Sequence, residues 1–402
     1  MHTVLSQKRP HSDALRFLIA CCQAEPSQEE IDLIASFTST VPSDRHDLLA
    51  VASAHGLLPL VYKSLKNLVE QKRFSTKLAT ATAHLQTLIA DLQSAYMQIA
   101  QRNMLMSAEL LQITKRLEEN GIKAVTFKGP ALAQLLYGDI TLRQFGDLDL
   151  LIHRKDIDLL KHHLGLEGYK DTLLIPTGQE QQWYRNAKDM VLYHPQKHLP
   201  LELHWQLLDT DYPIRINLHS IWSEAQPLQI NGHAIRTFSN EALLIYLCVH
   251  GSKHLWERVG WIKDIDVLIR TQPIDWHGVS AQMAGGNFRR LLLLGLHLSS
   301  RHFDTPLPSA FEPCPKDRHW LVPLTRFVES NWVRRAGMFS NTRAMLQLFP
   351  TLPMKLRYLN KVLFKPSKNE YRTLNLPREL HWAYFFLRPY LLIKKYLRPN
   401  SQ

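Results

Sequence analysis

Two aspartates one residue apart, Asp147 and Asp149, head an apolar run of Leu148, Leu150, Leu151 and Ile152. In an extended strand, residues two apart project from one face, so the pair sets two carboxylates side by side while Leu148 and Leu150 point the other way. Adjacent carboxylates repel unless a cation neutralises them. Mg²⁺ suits that task, because it takes oxygen ligands from one or two carboxylates together with the phosphates of a substrate, and Mn²⁺ is the alternative ion. Upstream lies Lys128-Gly129-Pro130. Gly129 permits close approach of the backbone to a ligand, Pro130 suits the first turn of a helix whose free N–H groups face an anion, and Lys128 adds a cation. Leu201-Glu202-Leu203 supplies a third carboxylate on another apolar segment. Beside the first two, Glu202 would complete a two-metal site, and it is the candidate general base.

Those side chains need a sheet to hold them. Residues 124–127 read as a buried strand, Gly129-Pro130 as a helix start, 147–152 as a second strand, and the stretch to about residue 164 as a helix. Further strands are expected at 189–193 and 201–205. Residues 228–235 form a hairpin around Asn231-Gly232, the pair that a type I′ turn prefers. Before residue 120 the apolar spacing of three and four is helical, including a helix over residues 14–22. After residue 238 the strands stop, and Ser239 is an N-cap for a helix through Leu243, Leu244 and Leu247. The chain thus divides into an N-terminal helical region (1–120), an α/β core (121–238) and a C-terminal helical region (239–402).

Composition excludes several classes. With 402 residues, 45% of them apolar, the chain has enough material for buried cores, so disorder throughout is excluded. No uninterrupted apolar run reaches the roughly 18 residues that cross a bilayer. The run at 14–22 lacks the cleavage pattern of a signal peptide, and Cys21, Cys22, Cys248 and Cys314 form no CxxC pair, so a cytoplasmic protein with reduced thiols is expected. The net charge of +12 is uneven: residues 353–402 hold eleven Lys and Arg against two Glu. This tail mixes cations with aromatics, a combination that suits an anionic membrane surface or a nucleic acid backbone, and equally a basic helical cap on the core. Pro377, Pro389 and Pro399 are expected to break it into short pieces.

Four further residues are candidates on the acceptor side. His204 sits two places after Glu202. His250 and His254 are four apart on a helix, a spacing that can share a metal, but no Glu lies between them and no third ligand is evident, which favours a structural or substrate-facing role over zinc. Asp264 and Asp266 form another Asp-x-Asp, yet on a helix they point about 200° apart and cannot pair on one ion. Asp264 either faces the cleft or pairs with Lys263 or an Arg on the helix surface. Arg143 is a candidate phosphate contact, with a loop ion pair to Asp139 as its plainer reading.

Taken together, Asn120-Gly121-Ile122, Lys128-Gly129, Tyr137-Gly138-Asp139, Arg143 and the run at 147–152 resemble the uncharacterised bacterial nucleotidyltransferase family of the polymerase-β-like superfamily. The likeness extends to Glu202-Leu203-His204-Trp205, to residues 250–264 and to the tail. It implies an α+β fold in which a small nucleotidyltransferase sheet is flanked by helical regions. It also implies Mg²⁺-dependent transfer of a nucleoside monophosphate from an NTP, ATP by default, with release of pyrophosphate. Asp147, Asp149 and Glu202 would then be the metal and catalytic carboxylates, with Lys128, Gly129 and Arg143 at the nucleotide. Many members carry Gly-Ser where this chain carries Lys-Gly, so a lysine contact would replace a serine contact. The acceptor is left open between a saccharide, a small metabolite and a protein. Two rivals remain: a non-catalytic nucleotide-binding or antitoxin-like protein of the same fold, and a DxD glycosyltransferase. The second is disfavoured because helices, not a Rossmann half, precede the pair.

Overall fold

Seven short strands assemble into one mixed sheet in the order β3-β4-β5-β2-β1-β7-β6. They are β1 (Ala124–Thr126), β2 (Leu148–Ile152), β3 (Lys170–Asp171), β4 (Asp189–His194), β5 (Leu199–His204), β6 (Gln226–Ile230) and β7 (His233–Thr237). The computed structural model describes residues 13–40, 45–74, 79–173, 184, 187–366, 370, 374, 376, 380 and 382–397. At the centre, β2 runs antiparallel to β1 and parallel to β5. All five residues of β2 are buried, as expected of a strand covered on both faces. The β6–β7 hairpin closes through Asn231 and Gly232 at φ 48° and 80°, the left-handed pair of a type I′ turn.

Helices flank this sheet. Before it come α1 (Asp13–Cys21), α2 (Gln28–Thr40), α3 (Arg45–Ala54), α4 (Leu58–Glu70) and the 41-residue α5 (Ala79–Glu119). Within the sheet region lie α6 (Gly129–Tyr137), α7 (Ile157–Leu166) and α8 (Leu218–Ser223). After it come α9 (Asn240–Lys253), α10 (Val259–Thr271), α11 (Trp276–Gly286), α12 (Arg289–Phe303), α13 (Arg318–Val333), α14 (Met338–Leu348), α15 (Leu352–Phe364) and α16 (Ala383–Leu397). Ser239 caps α9 by accepting the N–H of Ala242.

Alternation along β2 sorts its side chains between two apolar cores. Leu148 and Leu150 join Leu201 and Leu203 of β5 against Met106, Leu110, Ile113 and Leu117, the buried stripe of the C-terminal half of α5. Leu151 faces the opposite way, with Val125 and Phe127, into a core shared with the N-terminal helices and with α9, α10 and α12. Asp149 therefore projects toward the side roofed by α9 and α10.

Three local features differ from the sequence reading. Asp147 lies in the segment just before β2, which begins at Leu148. The two-residue β3 was too short to carry a periodic signal. Pro389 does not break the tail, since α16 runs through it. The carbonyl that loses its donor belongs to Phe385, a residue 49% exposed, so water can satisfy it and the cost of an internal proline is reduced. Pro377 and Pro399 lie outside the described residues. Among the described residues no single helix is long and apolar enough to cross a membrane.

Candidate functional site

The parallel register of β2 and β5 sets Asp149 directly opposite Glu202. His204, two residues along β5, shares the face of Glu202, and the antiparallel pairing with β4 places Asp189 opposite His204. Strand β1 delivers Lys128 to the same place, as the N-cap of α6. Gly129 follows at φ +52°, and a Cβ there would meet the carbonyl oxygen of Asp147 at 3.2 Å. The Lys-Gly bend thus packs on the backbone that leads into β2, and only a glycine takes that conformation at that distance without strain.

Two polar groups bond the buried carboxylate. Lys128 Nζ donates to Asp149 Oδ1 at 2.9 Å, and His204 Nε2 lies 3.0 Å from the same oxygen and 3.3 Å from Glu202 Oε2. The other ring nitrogen, Nδ1, lies 3.7 Å from Asp189 Oδ2. Lys188 pairs with Asp189. Two buried atoms, Asp149 Oδ2 and His204 Nδ1, have no hydrogen-bond partner. Asp149, Glu202 and His204 each offer one ligand atom within 4.8 Å of the others. An orphaned carboxylate oxygen among anionic and imidazole donors is what a divalent cation would satisfy, so these residues fit one.

The site's electrostatics separate the two aspartates. Burial pushes the Asp149 carboxyl up, but Lys128 and His204 outweigh it and hold it well below the usual carboxylate range. Burial, reinforced by Asp149 and Glu202, raises Asp147 to about 6. The hydrogen bond from His204 is the main reason that Glu202 is held down. Lys128 stays protonated: burial opposes its charge, and Asp149 more than offsets that.

Lys128, Gly129, Asp147 and Glu202 line one wall of a cavity of about 530 Å³. Opposite stand Lys253 at the end of α9 and His254, Arg258 and Trp261 from the turn and helix that follow. Neither Lys253 nor Arg258 has an ion-pair partner among the described residues, while the Arg258 guanidinium lies 5.7 Å from the Trp261 ring centre. Burial lowers Lys253, and burial together with Lys253 lowers Lys188, which pairs with Asp189, to about 8. An acidic wall facing a cationic one is suited to a metal-bound polyphosphate.

The remaining candidates have varied positions. Arg143 lines the cavity, but its Nε donates to Asp264 Oδ2 at 3.0 Å. Tyr137 donates to the other oxygen of Asp264 at 3.0 Å. Asp264 is thus a buried anchor between α10 and the loop holding Arg143, while Asp139 accepts from Thr141. Asp266 points elsewhere on α10, toward Lys263, Arg270 and Thr305. His250 and His254 have ring centres 4.8 Å apart and both pack on Trp261, at 5.0 and 5.7 Å. Burial keeps both neutral, His254 at about 4. No third ligand joins them among the described residues. The sequence reading did not single out Lys188, Lys253 or Arg258, because an isolated cation carries no local pattern. The placement of His204 among the ligand atoms was legible only as its two-residue spacing from Glu202.

Residues 42–304 match the model of a family described as uncharacterised nucleotidyltransferase. Among solved structures, that of an antigenic nucleotidyltransferase-like protein from Paracoccidioides brasiliensis is 19% identical, with 53% of this chain and 95% of that one covered and a TM-score of 0.32. No curated protein matches the chain.

Proposed function

Because the chain belongs to this uncharacterised nucleotidyltransferase family, we propose that it moves a nucleoside monophosphate from an NTP to an acceptor, releasing pyrophosphate. The observation that carries the reading is the pairing of Asp149 with Glu202 across two strands far apart in sequence, beside the Lys-Gly bend, with Asp147 on the wall of a cavity that Lys253 and Arg258 also line. Asp147, Asp149 and Glu202 would hold the divalent cation, Mg²⁺ or Mn²⁺, with His204 at its edge. When bound, that ion supplies charge neutralisation at the phosphates and activation of the acceptor oxygen.

The chain's own residues do the rest. Lys128 keeps Asp149 ionised and adjoins the N-terminal turn of α6, where backbone N–H groups can meet a phosphate. Lys253 and Arg258 would draw the triphosphate to the opposite wall, fixing it for in-line attack. Glu202 would accept the acceptor's proton, and its hydrogen bond from His204 favours the ionised form that a base requires. ATP is the default donor, and a saccharide, a small metabolite or a protein is the acceptor class to be separated.

Incubation with each labelled NTP and Mg²⁺, followed by tracing of the label, tests the proposal. Pyrophosphate release with label on an acceptor supports it, and label on the protein itself identifies a protein acceptor. Nucleotide binding with no turnover across saccharide, metabolite and protein acceptors would favour the non-catalytic reading instead.

A further inference from the structure

Ten of the eighteen large hydrophobic residues that are exposed among the described residues fall between 352 and 393. They are not scattered. On α16 and the residue before it, Trp382, Phe386, Tyr390 and Ile393 are 61%, 72%, 59% and 56% exposed. At 100° per residue these four lie within an arc of about 80°, a single stripe along the helix. On α15, Leu352, Leu356 and Leu363 make a second stripe by the same spacing. The two helices pack together, and Arg388 ties them by donating to the carbonyl of Val362 at 3.1 Å.

The opposite side of this helical pair is fixed to the protein. Lys361 pairs with Asp209, Lys365 with Asp211 at 3.1 Å, and Arg357 donates to the carbonyls of Thr210 and Asp211. Tyr384 is fully buried and accepts the N–H of Leu376. An exposed apolar face on a pair so firmly anchored is a surface built to be covered. Its charge selects the cover. Arg388 is paired with Glu370 at 2.7 Å, and after it the sequence has Lys394, Lys395 and Arg398 and no acidic residue. Two copies of such a face repel each other, whereas an anionic surface attracts it. Trp382 and Tyr390 are the side-chain types that settle at a water–hydrocarbon boundary, and a 15-residue helix is too short to span a bilayer but able to lie along one.

We propose that α15 and α16 form a docking face for a bilayer surface containing anionic phospholipid. The pair is pinned to residues 209–211, next in sequence to Leu207 and Leu208, which line the cavity described above. The inference does not depend on the nucleotidyl-transfer reading.

Vesicle flotation of the full chain is the test, comparing pure phosphatidylcholine with a mixture of phosphatidylcholine and phosphatidylglycerol. The expected result is partition onto the anionic vesicles on the order of tenfold stronger than onto neutral ones, abolished by salt and lowered about tenfold in a Trp382→Ser, Phe386→Ser variant. Equal partition of wild type and variant, or no binding to either vesicle, would overturn it. So would a wild-type dimer in light scattering that the variant loses, since a second copy would then be the cover. If the double variant does not fold, Lys394→Glu gives the same reading from the exposed cation beside the stripe, and undiminished binding by it overturns the charge-selected docking.

Discussion

Lys128 Nζ and Asp149 Oδ1 meet at 2.9 Å in a site where the lysine side chain is 16% exposed and the aspartate is closed off entirely. Each holds the other in its charged form, so removing either strands a buried charge. Asp149→Ala is expected to lower nucleotidyl transfer by orders of magnitude and to destabilise the fold by about 3 kcal/mol. Pyrophosphate release and urea denaturation read the two effects, and undiminished turnover would end the catalytic assignment.

Asp147 makes the opposite contribution. Its carboxyl is raised to about 6 by burial and by Asp149, above its ordinary 3.8. Between those values the native chain holds a proton that the unfolded chain has lost, so stability from this group is fully present at low pH and declines as pH rises through about 6. Without divalent cation, Asp147→Asn should melt higher than wild type at about pH 8, with the gap closing toward pH 4. Protons compete with the cation for the same carboxylate. The rise in melting temperature on adding Mg²⁺ or Mn²⁺ should therefore be larger at about pH 8 than at about pH 5.

Across the cavity, Lys253 lacks an ion-pair partner and is lowered by burial. Lys253→Met removes the proposed phosphate contact without breaking an internal pair. The expected outcome is an increase in KM for the NTP of about tenfold, a smaller change in kcat and little loss of stability. Steady-state kinetics with the preferred NTP measure it.

Gly260 opens α10 and donates its N–H to the carbonyl of His55 at 2.9 Å. A Cβ at Gly260 would lie 2.7 Å from that same oxygen, with backbone on the receiving side and no flexible side chain to move. Gly260→Ala should cost about 1–3 kcal/mol in chemical denaturation. Because α10 carries Trp261 and Asp264, activity should fall beyond what the lost stability explains.

Much of this was open to a reader of residues alone. The Asp-x-Asp with its apolar run, the Lys-Gly-Pro bend, the Asn-Gly hairpin and the Ser239 cap are short-range signals, each fixed by the conformational preferences of a few adjacent residues. Hence β2, α6, the β6–β7 hairpin and the start of α9 lie where those signals put them. The two-residue β3 and the continuation of α16 through Pro389 escaped, since the first has no period to read and the second depends on solvent reaching one carbonyl.

What remained for the tertiary structure was convergence. Nothing local says that Glu202 stands opposite Asp149, because that pairing comes from the register of two strands with some fifty residues between them. Nor does spacing reveal that Arg143 is held by Asp264, or that Lys253 and Arg258 face the acidic wall, since those relations are set by how α9 and α10 pack over the sheet. The amino-acid order determined which segments would be strands, turns and helices, because backbone sterics act over a few residues. Packing decided which charges meet, because burial and electrostatics act between neighbours in space.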